Sequence, residues 1–570
     1  MLIASRIRKV KCDEEKPHCK RCTSTGRACD GYDVNFRPAS QTHPNSPPLS
    51  GGYQVVRSQS PIPLAPALRL KTAEERNSFE FFTTHAVYSL RGFLDSPFWQ
   101  REILQAAHHH ESIQHCIVAL GAMHRRFYEG TNSHLDETAI ADQYLQFALR
   151  KSNDAIHGLV KGNGPGGGMA GADRVTLMAC SVIFSSMACL QGHQKEGIQH
   201  LRSGIRLLNE LDREGEDKVE RHPIHLDSLR SIIVGLDLQA RSIMTSRDAQ
   251  DWEPLPRTKS STVLQKELGS SSLDAMYLQM QGLDMSHGSI MTTQDASAFH
   301  SLPGTKSSTL SDSKLVVDHS TLVAMHLHLQ TLTNEVIAFL QSTLNRVPDQ
   351  LAYRRLLSRF DACTDLLSHL CARAAHSVDD FSQPLMALQL LHTQVEYYLC
   401  YPRGDVGEKF YFMADPHRAP FEPVAHFARM LDLATRLLPH SSSLLPVFTT
   451  SMGPLAALWI IATRAPSVCT EIRKRAVRVM LSYPRREGFW DGMVAGQIAQ
   501  EVLKLEQESA QEELGLWDVP SRDLIVPDDL RIVVVALKYD EGDNRKASVE
   551  HRSARDMALG RRGRMQYLTW

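Results

Sequence analysis

Apolar positions recur at three- and four-residue intervals over most of the chain. Phe79, Phe82, Ala86 and Leu90 form the first such face, and Ile113, Ile117, Leu120 and His124 the next. The period returns in Leu177, Cys180, Phe184 and Met187, in Ile198, Leu201, Ile205 and Leu208, and in Leu226, Leu229, Ile233 and Leu236. Such spacing gives each helix an apolar stripe to bury against its neighbours. Thr72-Ala-Glu-Glu75 opens the series with a capping-box pattern, in which a Thr oxygen and a Glu carboxylate satisfy free amides of the first turn. Consecutive amphipathic helices with short turns are therefore predicted from about 72 to 247.

The pattern breaks at residues 258–315, which are rich in Ser and Thr and read as a flexible insertion. It resumes near 316 and continues to about 510 through Leu366, Leu367 and Leu370, then Leu385, Leu388 and Leu391. Beyond that, only Ile532-Val-Val-Val-Ala-Leu537 reads as a strand, and one strand makes no sheet alone. Residues 511–570 are accordingly expected to be a mostly irregular, charged tail. At the other end, residues 34–70 hold Pro38, Pro44, Pro47, Pro48, Pro61, Pro63 and Pro66 among Ser, Gln and Gly, the composition of a disordered linker. The fold class expected is all-α. A small N-terminal unit (1–33) and the linker (34–70) precede a helical body in two parts, 71–257 and 316–510. No fixed-period repeat supports a solenoid.

Composition narrows the class. The chain has 570 residues, 42% apolar and 22% charged, enough to bury a core and too hydrophobic for wholesale disorder. The longest uncharged apolar stretch, Pro446 to Thr463, is broken by Thr449, Thr450, Ser451 and Pro454 and reads as a buried helix rather than a membrane span. The apolar start runs directly into Arg6, Arg8, Lys9 and Lys11, unlike a secretory signal. A soluble intracellular protein is expected, with no membrane partner. The net charge of −1 hides an asymmetry: residues 1–37 hold nine Lys+Arg against five Asp+Glu, a net +4 that leaves −5 for the rest.

Four of the eleven cysteines, Cys12, Cys19, Cys22 and Cys29, fall within 18 residues, while the other seven are scattered through helical patterns as small apolar side chains. The spacing Cys12-x6-Cys19-x2-Cys22-x6-Cys29 suits soft thiolate ligands around tetrahedral zinc, and Pro17 and Gly26 occupy the loops where turns are needed. The run Arg6-Ile-Arg-Lys-Val-Lys-Cys-Asp-Glu-Glu-Lys-Pro-His-Cys-Lys-Arg-Cys-Thr-Ser-Thr-Gly-Arg-Ala-Cys29 closely resembles the zinc binuclear cluster (Zn2Cys6) domain of fungal transcription factors. That family places six cysteines around two zinc ions, and Cys12, Cys19, Cys22 and Cys29 fall on its third to sixth ligands. Positions 2 and 5, where the first two should stand, hold Leu2 and Ser5. Three explanations stay open. The written start lacks an upstream pair, or the four cysteines hold a single zinc with His18 as a substitute ligand, or the domain is degenerate and no longer reads DNA.

The resemblance implies how an intact domain would act. Arg6, Arg8, Lys9 and Lys11 would line the first short helix at the major groove of double-stranded DNA. Lys9 falls on the family's base-contacting lysine, and its donors suit the O6 and N7 acceptors of guanine in CGG-type triplets. Lys11, Lys20 and Arg21 are better cast as phosphate contacts. The same basic run also suits a nuclear-import signal.

The body carries a second, less specific resemblance. Ser96-Pro-Phe-Trp99 through Leu104-Gln-Ala-Ala-His-His109 to Ala119-Leu-Gly-Ala-Met-His124, together with Arg485-Arg-Glu-Gly-Phe-Trp-Asp491, looks like the regulatory region of fungal regulators of secondary-metabolite clusters, such as the aspercryptin cluster. It implies an all-α regulatory domain in a nuclear regulator of RNA polymerase II genes, with itself or other regulators as further partners. If the first two ligands are truly absent, the alternative is a helical interaction protein that does not bind DNA.

Enzyme signatures do not gather. Gly162-Asn-Gly164-Pro-Gly-Gly167 satisfies G-x-G-x-x-G but follows helical sequence rather than a strand, so it lacks the context that seats a pyrophosphate. His108, His109 and His110 are consecutive, and helical geometry points them ~100° apart, so surface positions are expected for them rather than one metal ion. Trp99 and Trp490 are read as core or turn anchors. No enzyme is expected.

Overall fold

The chain divides into two compact units, Met1–Leu64 and Ala65–Trp570, in a computed structural model. The structure describes residues 68–130, 138–162, 171–214, 222–243, 317–343, 349–375, 380–401, 420–438, 445–515, 524–540 and 546–569. The N-terminal unit expected at 1–33, the linker up to residue 67 and the insertion expected at 258–315 lie outside them.

The second unit is mainly helical. Its first part runs through α1 (Ala73–Phe81), α2 (Val87–Leu90), α3 (Ile103–His109), α4 (Glu111–Gly130), α5 (Thr138–Gly162), α6 (Gly171–Gln191), α7 (Gln194–Glu214) and α8 (Leu226–Ile243). The capping box opens α1 as the sequence predicts: Thr72 Oγ1 accepts from the Glu75 amide at 3.1 Å, and Glu75 Oε2 accepts from the Thr72 amide at 3.2 Å. The second part comprises α9 (His319–Thr343), α10 (Gln350–Ala374), α11 (Ser382–Cys400), α12 (Pro423–Arg436), α13 (Pro454–Arg464), α14 (Thr470–Ser482) and α15 (Gly492–Leu514).

Among the described residues two large apolar clusters form the core of the helical parts, one for each, and they interdigitate. Phe448 and Phe489 from the second part are buried among residues of α1 to α8. Leu94 and Leu238 from the first part are buried among α9 to α15. Ile113, Ile117, Leu120 and His124 of α4 are all buried, as the spacing requires. Helix α6 departs from its expected face: Leu177 and Phe184 are only half-buried, while Val175, Met178, Val182 and Ile183 are buried. The helix is covered almost all round, so no single stripe distinguishes its inner side. It is long and apolar enough to cross a membrane, yet 78% of its most apolar window is buried inside the fold.

The all-α expectation holds for the bulk of the described residues, to which a few strands are added. β1 (Val447–Thr449) pairs parallel with β2 (Arg485–Glu487), which pairs antiparallel with β3 (Trp490–Asp491). The stretch expected to be one buried helix from Pro446 therefore begins as a strand, and its helix starts at Pro454, a favoured first position because proline has no amide hydrogen to leave unpaired.

The C-terminal segment is not an irregular tail. β4 (Ile532–Tyr539), β5 (Lys546–Ser553) and β6 (Arg564–Thr569) form an antiparallel sheet in the order β4-β5-β6, with α16 (Ala554–Ala558) between the last two strands. The apolar run at β4 has partners the periodicity did not reveal. Along β5 the inward positions are Ala547, Val549, His551 and Ser553, of which only two are apolar, so the alternation reads as polar sequence. A buried ion pair seats the sheet. Arg473 of α14 donates to Glu506 of α15 at 2.7 Å, Glu506 also accepts the Ile532 amide at 2.9 Å, and Arg531 donates to the Ala465 carbonyl at 2.7 Å.

Candidate functional site

Cys12, Cys19, Cys22, Cys29, His18, Arg6, Arg8, Lys9, Lys11, Lys20 and Arg21 all lie outside the described residues, so their expected roles remain sequence-based. By donor chemistry, the residues at hand supply four of the six thiolates of a binuclear cluster, in the correct spacing for its third to sixth ligands.

Within the helical unit, the two segments that carry the regulatory-domain resemblance meet at one place, Thr449–Ser451. Trp99, fully buried, donates its indole N–H to Thr450 Oγ1 at 2.9 Å, and the Thr450 hydroxyl donates to the Leu90 carbonyl at 3.0 Å. Gln239 of α8 donates to the Thr450 carbonyl at 2.8 Å, and Ser451 Oγ donates to the Arg91 carbonyl at 3.0 Å. Every backbone or side-chain polar group so placed is buried or half-buried, and such a group is costly to leave unpaired.

Arg485–Asp491 forms the other side of this joint, and each of its residues has a task. Glu487, 1% exposed, accepts from Arg485 Nε at 2.5 Å and from the amides of Gly453 and Leu455 at 2.9 and 3.2 Å. It thereby caps the N-terminus of α13, where positive partial charge collects. Burial pushes its carboxyl up, against the opposing pull of Arg485 and the two amides. Arg486 pairs with Asp491 at 2.7 Å, donates to the Leu190 carbonyl at the end of α6, and lies over the Phe127 ring. Gly488 has a φ of +50°, and a Cβ there would stand 1.8 Å from Gln239 Oε1. Phe489 fills the core of the first part, Trp490 donates to Ser242 Oγ at 2.9 Å, and Asp491 caps α15 through the Met493 and Val494 amides. Both tryptophans are anchors rather than open stacking platforms. The joint fixes the two helical parts to each other; it presents no nucleophile–base pair.

The histidine run differs from a row of surface side chains. His109 is exposed, but His110 stacks on His222 with ring centroids 4.7 Å apart, and Thr176 Oγ1 lies 3.3 and 3.2 Å from their ring nitrogens. His222 Nδ1 accepts from the Ile224 amide, which places its proton on Nε2, and burial, with the neighbouring His110, holds its pKa down to about 4. Among the described residues no three His, Cys, Asp or Glu side chains gather as a metal site. The scattered thiols are packing groups there; burial pushes that of Cys363 up to about 12.

Residues 5–39 match the fungal Zn(2)-Cys(6) binuclear cluster domain, which binds zinc, and residues 79–290 match the fungal specific transcription factor domain. The chain thus matches in succession a zinc-cluster segment and a regulatory segment of the kinds found in fungal transcription factors. It is similar to the aspercryptin biosynthesis cluster-specific transcription regulator atnN of Emericella nidulans, with 30% identity over 269 residues, 45% of this chain and 41% of that protein. It is also similar to the transcription regulator lscL of Purpureocillium lilacinum, with 27% identity over 245 residues, 41% of this chain and 56% of that protein. The chain thus spans about half the length of these curated relatives. No solved structure matches it.

Proposed function

We propose that this protein is a sequence-specific, DNA-binding transcription regulator of RNA polymerase II genes that acts in the nucleus on a secondary-metabolite gene cluster. The match of residues 5–39 to a zinc-cluster domain carries this reading, and the names of the two relatives supply the metabolic setting. Cys12, Cys19, Cys22 and Cys29 hold zinc, and that metal supplies the folding energy of so small a unit. Lys9, with Arg8 beside it, reads guanine in CGG-type triplets, and Arg6, Lys11, Lys20 and Arg21 position the unit on the phosphates. The helical unit regulates and carries no reaction of its own.

Substitution separates these roles. Lys9→Ala is expected to lower affinity for a CGG duplex by the ~1–3 kcal/mol of a lost base contact and to leave binding to random DNA nearly unchanged. Lys20→Ala is expected to weaken both alike. Equal losses from the two variants would refute the assignment of Lys9. One observation favours a second reading, an interaction protein that does not bind DNA: Leu2 and Ser5 stand where the family has its first two ligands. DNA affinity without a steep salt dependence would favour it.

A further inference from the structure

We infer that the outer face of α7 is a second DNA contact, which grips the phosphate backbone flanking the site read by the zinc-cluster unit; this rests on the DNA-binding function proposed above. Lys195, Arg202, Arg206 and Arg213 of α7 are all exposed. Successive members are seven, four and seven residues apart, so at 3.6 residues per turn they fall within about 40° of arc on one side of the helix. The stripe runs about 27 Å at 1.5 Å per residue.

The opposite side of the helix holds this stripe in place. Leu201, Ile205, Leu208 and Leu211 are buried in the core of the first part. Gly204 lies so close to α6 that a Cβ there would stand 2.5 Å from Ser181 Oγ. The cations therefore project from a rigid rod. The described acids of α7 stay out of the arc: Asp212 is taken by Arg230 of α8 at 2.8 Å. Glu196 and Glu210 are half-buried, about 60–100° to one side. Residues 38–570 carry a net −5, so the row of cations runs against the charge of the body around it.

Charge and length select the occupant. One DNA strand places a charge every 3.4 Å of axis, so a stripe of this length spans about eight phosphates of one strand. Exposed Gln199, between Lys195 and Arg202, adds a neutral donor of the kind that also binds phosphate oxygens. A protein partner would need apolar anchors at the centre of its contact. The large apolar side chains exposed among the described residues include none from α7. Four phosphate contacts are weak on their own at physiological salt. They act once the zinc-cluster unit has brought the chain to DNA, because the flanking phosphates are then at high local concentration.

The test measures binding of the zinc-loaded full chain to two duplexes across a salt series. Both contain the same paired CGG triplets; one ends close to them and the other continues into long flanks of random sequence. The long duplex is expected to bind more tightly, with a log–log salt slope steeper by about 3–4, at ~0.9 for each added phosphate contact. Lys195→Gln/Arg206→Gln is expected to reduce the slope on the long duplex by about 2 and to leave the short duplex unchanged, which also verifies that the fold and the reader are intact. Lys195→Arg/Arg206→Lys keeps both charges and is expected to keep the slope. CGG-specific binding with equal slopes on the two duplexes would overturn this inference alone. So would a Gln variant that matches the wild type on the long duplex, or one that loses equally on both. No preference for CGG on either duplex would overturn the proposed function and this inference with it.

Discussion

Replacing Glu506 with Ala isolates the contact that ties the C-terminal sheet to the helical unit. Glu506 and Arg473 are each 1% exposed and 2.7 Å apart, and Glu506 Oε1 also accepts the Ile532 amide at 2.9 Å. Removing the carboxylate leaves a buried guanidinium without its counter-charge, and burial already pulls the Arg473 pKa down. Breaking such a pair costs about 3–5 kcal/mol, and the orphaned Ile532 amide is part of that loss. Glu506→Leu/Arg473→Met removes both charges and keeps comparable volume, so it is expected to cost less than either single substitution. Urea denaturation gives the free energies, and hydrogen exchange across residues 532–569 locates the damage, which should be greatest in β4. A loss below about 1 kcal/mol for Glu506→Ala, or a double variant equal to the sum of the singles, would refute the reasoning.

Other perturbations have equally definite outcomes. A Cβ on Gly121 of α4 would lie 2.1 Å from the Ser78 carbonyl oxygen, so Gly121→Ala must spread α1 from α4 and is expected to cost about 1–3 kcal/mol or more by thermal or urea denaturation. His124 and His326 are buried and His222 is largely so, and burial holds each near a pKa of about 4, against 6.5 for the exposed group. At His124 the nearby Phe448 backbone forms no hydrogen bond of normal geometry, and burial outweighs that contact. Each imidazole is neutral when folded and gains a proton on unfolding, so stability is full above about pH 6.5 and falls as pH drops toward 4. Melting temperatures that stay flat between pH 7 and 5 would contradict this. Removing zinc with a chelator is expected to abolish DNA binding while leaving the helical circular dichroism nearly unchanged; retention of specific binding would refute zinc as the fold of the reader.

The helices were legible because their chemistry is local. Thr72 and Glu75 are three residues apart, and the α4 stripe follows the 3.6-residue period, so neither needs knowledge of a distant partner. The C-terminal sheet was not legible for the opposite reason. The inward side of β5 includes His551 and Ser553, and these become interior only because β4, β6 and α15 surround them. The joint at Thr450 is hidden in the same way: its partners Leu90, Trp99 and Gln239 are more than 200 positions away in sequence. Arg485–Asp491 stood out as a resemblance, yet its mixture of charge, glycine and aromatic residues gave no hint that each side chain closes a different contact. Cys12 to Cys29 lie outside the described residues, and the zinc reading for them rests on spacing, because a metal site in a short segment is set by loop length and ligand type.

The most direct test of the central claim is the affinity of the zinc-loaded full chain for a duplex containing paired CGG triplets, measured at several salt concentrations against a duplex of scrambled sequence. At least a ~10³-fold preference for the CGG duplex is expected, with affinity falling steeply as salt rises. Equal affinity for the two duplexes, or none for either, would contradict it.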